Sequence, residues 1–113
     1  MKAFLSGSQV YGEPTEESDI DLIIRMAKKE MDKLIKILSS KGQIQHIDPN
    51  YDNGQVSIKI GTLNLLICYT DKRYLSWATG TKALRLERRK KGKPLSRERA
   101  VEVFSGLRDM LEL

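Results

Sequence analysis

The chain has 113 residues, 40% of them hydrophobic and 31% charged, with a net charge of +5. That balance suits a small soluble domain with one core, and argues against wholesale disorder. No apolar run approaches a membrane span, the start Met1-Lys2-Ala3-Phe4-Leu5 turns polar too soon for a secretory signal, and Cys68 is the only cysteine. A disulfide-stapled secreted fold is thereby disfavoured, and a cytoplasmic protein with no membrane contact is expected.

Ala3–Ser6 predicts a short strand running into Gly7-Ser8 and a brief helical turn. Gly12-Glu13-Pro14 then opens a loop that lasts through Ser18. Asp19–Ile24 predicts the next strand, with Ile20, Leu22 and Ile24 on one face and Asp19, Asp21 and Ile23 on the other. Over Lys28–Lys41, Met31, Leu34, Ile35 and Leu38 recur at helical spacing before Gly42. Gln43–Asp48 reads as a strand, and Pro49-Asn50 with Asp52-Asn53-Gly54 reads as turns. Gln55–Ile60 and Leu63–Tyr69 form a hairpin around Gly61-Thr62, where glycine in first place suits a type II′ turn. Asp71–Lys90 is helical with Gly80 as a weak point. Ser96–Leu113 is a last helix, capped by Ser96, with a buried stripe of Val101, Phe104, Leu107 and Leu111. The expected architecture is α+β: a mixed sheet with helices packed on one face. The whole chain, 1–113, is expected to be one domain, a core of residues 1–70 followed by a helical part, 71–113.

Two features carry chemistry. A strand that ends in Gly7-Ser8 and opens a helical turn presents backbone N–H groups, a hydroxyl and a helix N-terminus in one direction, which makes a phosphate cradle. Asp19 and Asp21, two residues apart, project the same way, and their mutual repulsion is relieved by a cation between them. Hard oxygen ligands of this kind suit Mg²⁺. The flanking residues Ile20, Leu22, Ile23 and Ile24 are core material, so charge placed there needs a compensating reason.

Gly7-Ser8-Gln9-Val10-Tyr11-Gly12, followed by Ser18-Asp19-Ile20-Asp21-Leu22, resembles the signature of the DNA polymerase beta-like nucleotidyltransferase superfamily, especially its minimal single-domain members. The motif covers residues 4–24, and the order of elements agrees to about residue 70. The resemblance implies Mg²⁺-dependent transfer of a nucleoside monophosphate from a nucleoside triphosphate to an acceptor, with two metal ions. Gly7 and Ser8 would then hold the β- and γ-phosphates, Ser18 would sit beside the nucleotide, and Asp19 and Asp21 would ligate the metals.

One position departs from the family. Its members bring a third carboxylate from a later strand, and the matching inward position here is Asn64, which can coordinate through oxygen but has no charge and cannot act as a base. Lys59 is expected directly across the hairpin from Asn64, placed to disfavour a second metal or to touch the triphosphate. Asp71 is on the wrong parity to replace the missing acid and reads as a helix cap. A catalytically reduced binding module, working through a nucleotide or a protein partner as minimal members do in toxin–antitoxin or phage settings, is therefore the alternative. His46, Tyr74 and Trp77 read as structural residues, and Cys68 as a buried apolar one. Residues 1–70 hold eight Lys/Arg against nine Asp/Glu, and residues 71–113 twelve against six. That excess gathers at Arg85, Arg88, Arg89, Lys90, Lys91 and Lys93, either a solvated helix end or a surface for nucleic acid.

Overall fold

A computed structural model describes residues 2–15 and 18–112, with the side chains of 108 and 110–112 outside that description. Five strands form one sheet: β1 (Lys2–Ser6), β2 (Ile20–Arg25), β3 (His46–Asn50), β4 (Gln55–Ile60) and β5 (Leu63–Cys68). The spatial order is β1-β2-β5-β4-β3. β2 and β5 run parallel, and every other neighbouring pair is antiparallel. Three α-helices accompany the sheet: α1 (Lys28–Ser40), α2 (Asp71–Lys91) and α3 (Arg97–Glu112). The expected α+β class with a mixed sheet is what the chain adopts.

The placement of the helices corrects the expectation of a single covered face. Leu22 and Ile24 of β2, Leu65 and Ile67 of β5, and Val56 and Ile58 of β4 pack with Met31, Leu34 and Ile35 of α1. On the opposite face Ile23, Leu66 and Cys68 pack with Phe4 and with Tyr74 and Trp77 of α2. The physical reason lies in β2 and β5, which are apolar on alternate residues of both faces beyond Asp21 and Asn64, so each face needs a cover. β4 is apolar on the α1 side only. Its Gln55, Ser57 and Lys59 lie on the α2 side, and α2 leaves that flank of the sheet open.

Other boundaries shift for local reasons. β3 starts at His46 and continues through Pro49 to Asn50, because an edge strand tolerates proline where no N–H is required. Between β4 and β5, Gly61 has φ +61° and Thr62 is not in the positive-φ region, as the type II′ turn requires. α2 passes through Gly80 without a break, since Gly80 is buried and the ring of Phe104 occupies the space a side chain would need. Thr70 caps α2 by accepting from the Arg73 backbone N–H, while Asp71 accepts from Arg25 Nε at 2.9 Å. Ser96 caps α3 as expected, accepting from the Arg99 N–H. Val101, expected in the buried stripe, is 57% exposed; Ala100, Val103 and Phe104 face Leu84 and Leu95 instead. Leu111 falls outside the described side chains.

Candidate functional site

Strand register brings the predicted residues together. Ser6 at the end of β1 lies beside Asp21 of β2, Asp21 beside Asn64 of β5, and Asn64 beside Lys59 of β4, all in one row on the α2 side of the sheet. Asp19 immediately precedes β2. Gly7–Gln9 forms one turn of 3-10 helix directly off β1. Gly7 adopts φ +73°, and a Cβ there would run into the Asp21 carboxylate, so glycine serves both the turn and the close approach to the acid. Gly12 folds back on the turn, its N–H donating to the Ser8 carbonyl at 3.2 Å, and a Cβ on it would crowd Ser8.

The Gly7–Gly12 segment is clasped by α2 and the residues that follow it. The buried hydroxyls of Ser6 and Thr81 of α2 are 2.7 Å apart. Arg88 Nη1 donates to the Val10 carbonyl at 3.0 Å, and the Leu95 N–H donates to the Tyr11 carbonyl at 2.8 Å. Arg88 thus belongs to the scaffold of the turn, and Lys91 pairs with Glu87 at 3.0 Å. Of the six residues in the basic cluster, Arg85, Arg89, Lys90 and Lys93 remain as an exposed group.

Around the acids the geometry is specific. Asn64 Nδ2 donates to Asp21 Oδ1 at 3.0 Å, and the Ser57 hydroxyl donates to Asn64 Oδ1 at 3.0 Å. Lys59 Nζ is 3.4 Å from Asp19 Oδ2. Burial pushes the Asp21 carboxyl above its ordinary value; the Asn64 hydrogen bond opposes this and the charge of Asp19 adds to it. Burial also raises the Tyr11 phenol, against the Ser6 hydrogen bond and with the charge of Asp21. Ser18 accepts from the Thr15 N–H at 2.8 Å, which orders the loop entering the site.

Two cavities meet at Asp21. One, of about 670 Å³, is lined by Gly7, Ser8, Ser18, Asp19 and Arg97 among others. The second, of about 540 Å³, extends over the open flank of the sheet past Asn64 and Ser57 to Asp48, Gln55, Arg73 and Trp77. Trp77 Nε1 donates to Gln55 Oε1 at 3.0 Å. Tyr11, Arg97 and Asp48 were not singled out as site residues in the sequence. Tyr11 lies within the Gly7–Gly12 stretch, and Asp48 follows from the strand alternation once β3 is extended past it. Arg97 has no sequence signal, because only α2–α3 packing brings it to Asp21. His46 shares the Lys59 row at the exposed sheet edge, and Cys68 is buried with its thiol pushed up to about 11.

Asp19 and Asp21 thus line one cavity together with a glycine-opened turn. The chain belongs to the nucleotidyltransferase domain family, which it matches over residues 1–102, and the match therefore reaches through α2 into α3. Comparison with curated proteins and with solved structures returned no match. Asp19 and Asp21 offer hard anionic oxygens toward the cavity that Gly7 and Ser8 line, and this donor set fits a Mg²⁺ ion that shares its remaining ligands with phosphate and water. Among the described residues no group of three or more His, Cys, Asp or Glu converges on a metal position, and no helix is long and apolar enough to cross a membrane.

Proposed function

We propose that this protein transfers a nucleoside monophosphate from a nucleoside triphosphate to an acceptor, with Mg²⁺ held by Asp19 and Asp21. The observation that carries the reading is the adjacency of the Gly7-Ser8 turn and Asp21, close enough that Gly7 has no room for a side chain. The backbone of the turn and the Ser8 hydroxyl receive the β- and γ-phosphates, and Arg97 adds positive charge from α3. Bound Mg²⁺ supplies charge neutralisation for the phosphates and the leaving pyrophosphate. With the leaving group over β1 and the acids on β2, in-line displacement admits the acceptor from the β5–β4 side, along the second cavity. The acceptor oxygen bonds to the α-phosphorus as the bridge to the β-phosphate breaks, and its proton passes to water in this open groove, because Asn64 cannot take it.

Incubation with α-³²P-labelled nucleoside triphosphates, Mg²⁺ or Mn²⁺ and cell extract tests the reading. Label transfer that is lost in Asp19→Asn and Asp21→Asn supports it; absence of transfer, or transfer insensitive to both, contradicts it. The exposed Arg85, Arg89, Lys90 and Lys93 favour a polyanionic acceptor or partner such as nucleic acid, whose binding then falls steeply with added salt. Flat salt dependence removes that choice. A buried unpaired Cys68 accords with a cytoplasmic site of action.

A further inference from the structure

We infer that the site takes one divalent cation, and that Lys59 supplies the second positive charge that a paired metal provides elsewhere. This inference rests on the transferase reading above. Two-metal phosphoryl sites hold their ions about 3.5–4 Å apart, which requires anionic ligands reaching both positions. Among the described residues Asp19 and Asp21 are the acids at the start of β2; Glu13 lines the same cavity and Asp48 the second one, yet no three acids converge on one metal position. The third position is Asn64: its Nδ2 donates to Asp21 Oδ1 at 3.0 Å, which fixes the amide's orientation, and the Ser57 hydroxyl adapts by donating to Oδ1 at 3.0 Å. The face that Asn64 turns to Asp21 is therefore an N–H donor, which repels a cation. Reversing the amide would set its oxygen against the Asp21 carboxylate, so without a cation Asp21 itself selects the donor orientation. Asn64 is a positioning residue, holding one lobe of the Asp21 carboxylate and leaving the other for a single ion.

Lys59 completes the case from the next strand. It stands directly opposite Asn64 in the β4–β5 register, and its Nζ approaches Asp19 Oδ2 to 3.4 Å. An ammonium beside Asp19 disfavours a second dication on the same carboxylate, since like charges at such separations repel strongly in a partly desolvated cavity. It also provides a cation that needs no metal, next to the row where the α-phosphate would lie. The side chain is partly exposed, so it can move from Asp19 to a phosphate oxygen when nucleotide enters.

Manganese counts the ions directly. Mn²⁺ is titrated into the full chain in the presence of α,β-methylene analogues of each ribonucleoside triphosphate, followed by calorimetry and electron paramagnetic resonance. The wild type is expected to bind one Mn²⁺ per chain with the spectrum of an isolated ion. Asn64→Asp combined with Lys59→Met is expected to bind two, with the exchange-coupled spectrum of a close pair. A coupled pair in the wild type overturns the inference, as does a folded double variant, checked by circular dichroism, that still binds one. A wild type that binds neither Mn²⁺ nor nucleotide contradicts the proposed function itself, a result distinct from a coupled pair.

Discussion

Replacing Gly7 by alanine separates two consequences of a single methyl group. At φ +73° an L residue is strained, by about 1–2 kcal/mol. In a domain of this size that lowers the melting temperature by about 4–8 °C. Gly42 at φ +65° has nothing within 4 Å of an added Cβ, so Gly42→Ala carries the same strain with no neighbour to displace. Gly7→Ala additionally forces the Asp21 carboxylate aside and breaks its hydrogen bond with Asn64. A hydrogen bond to a charged group contributes about 1.5–3 kcal/mol, so misplacing the acid should weaken Mn²⁺–nucleotide binding at least about tenfold. Calorimetric titration and thermal denaturation of both variants decide the matter. Gly7→Ala should therefore melt below Gly42→Ala, and it alone should lose affinity. Wild-type affinity in Gly7→Ala, or equal loss in Gly42→Ala, refutes the claim that Gly7 keeps space for Asp21.

The α2–α3 contact offers a matched pair. Gly80→Ala drives a methyl into the Phe104 ring and should destabilise the fold by about 1–3 kcal/mol, whereas Gly106→Ala meets open space in α3 and should stabilise it by up to about 1 kcal/mol; chemical denaturation reads both. Because burial raises the Asp21 carboxyl, its proton competes with metal at a higher pH than for an ordinary aspartate, and Mn²⁺ affinity should fall as pH drops through that raised range. Asn64→Ala removes the bond that opposes the shift, so the midpoint of a pH titration of Mn²⁺ binding should move upward; a downward move would contradict the assigned donor. In the folded protein alone, this carboxyl binds its proton more tightly than in the unfolded chain. Its own contribution therefore stabilises the fold as pH falls through the raised value and is lost as pH climbs above it. Arg88→Met frees the Val10 carbonyl and should weaken nucleotide binding several-fold while leaving metal-free melting within a few degrees of wild type, measurable by titration of a fluorescent nucleotide.

What the sequence made legible was local. Gly7-Ser8, the Asp19/Asp21 pair, the hairpin at Gly61-Thr62 and the Lys59–Asn64 pairing all follow from strand alternation and turn chemistry, and the register bears out the last of these directly. Strand alternation groups Ile23 with Asp21, and the apolar side chain on that face requires a cover, which α2 provides opposite α1. Tertiary contacts account for the remainder. No local pattern announces that Thr81 meets Ser6 across 75 residues, or that Arg88 reaches the Val10 carbonyl while its neighbours face water. Val101 fitted a helical stripe by spacing, yet the roll of α3 is set by Phe104 filling the space at Gly80, which leaves Val101 outward.

The most direct test of the central claim is a crystal structure with Mn²⁺ and a non-hydrolysable nucleoside triphosphate, with the metal located by anomalous scattering. The account predicts a single peak between Asp19 and Asp21, the β- and γ-phosphates against the Gly7-Ser8 turn, and Lys59 within reach of a phosphate oxygen. Nucleotide ordered elsewhere on the protein, or Mn²⁺ bound away from the two aspartates, would contradict it.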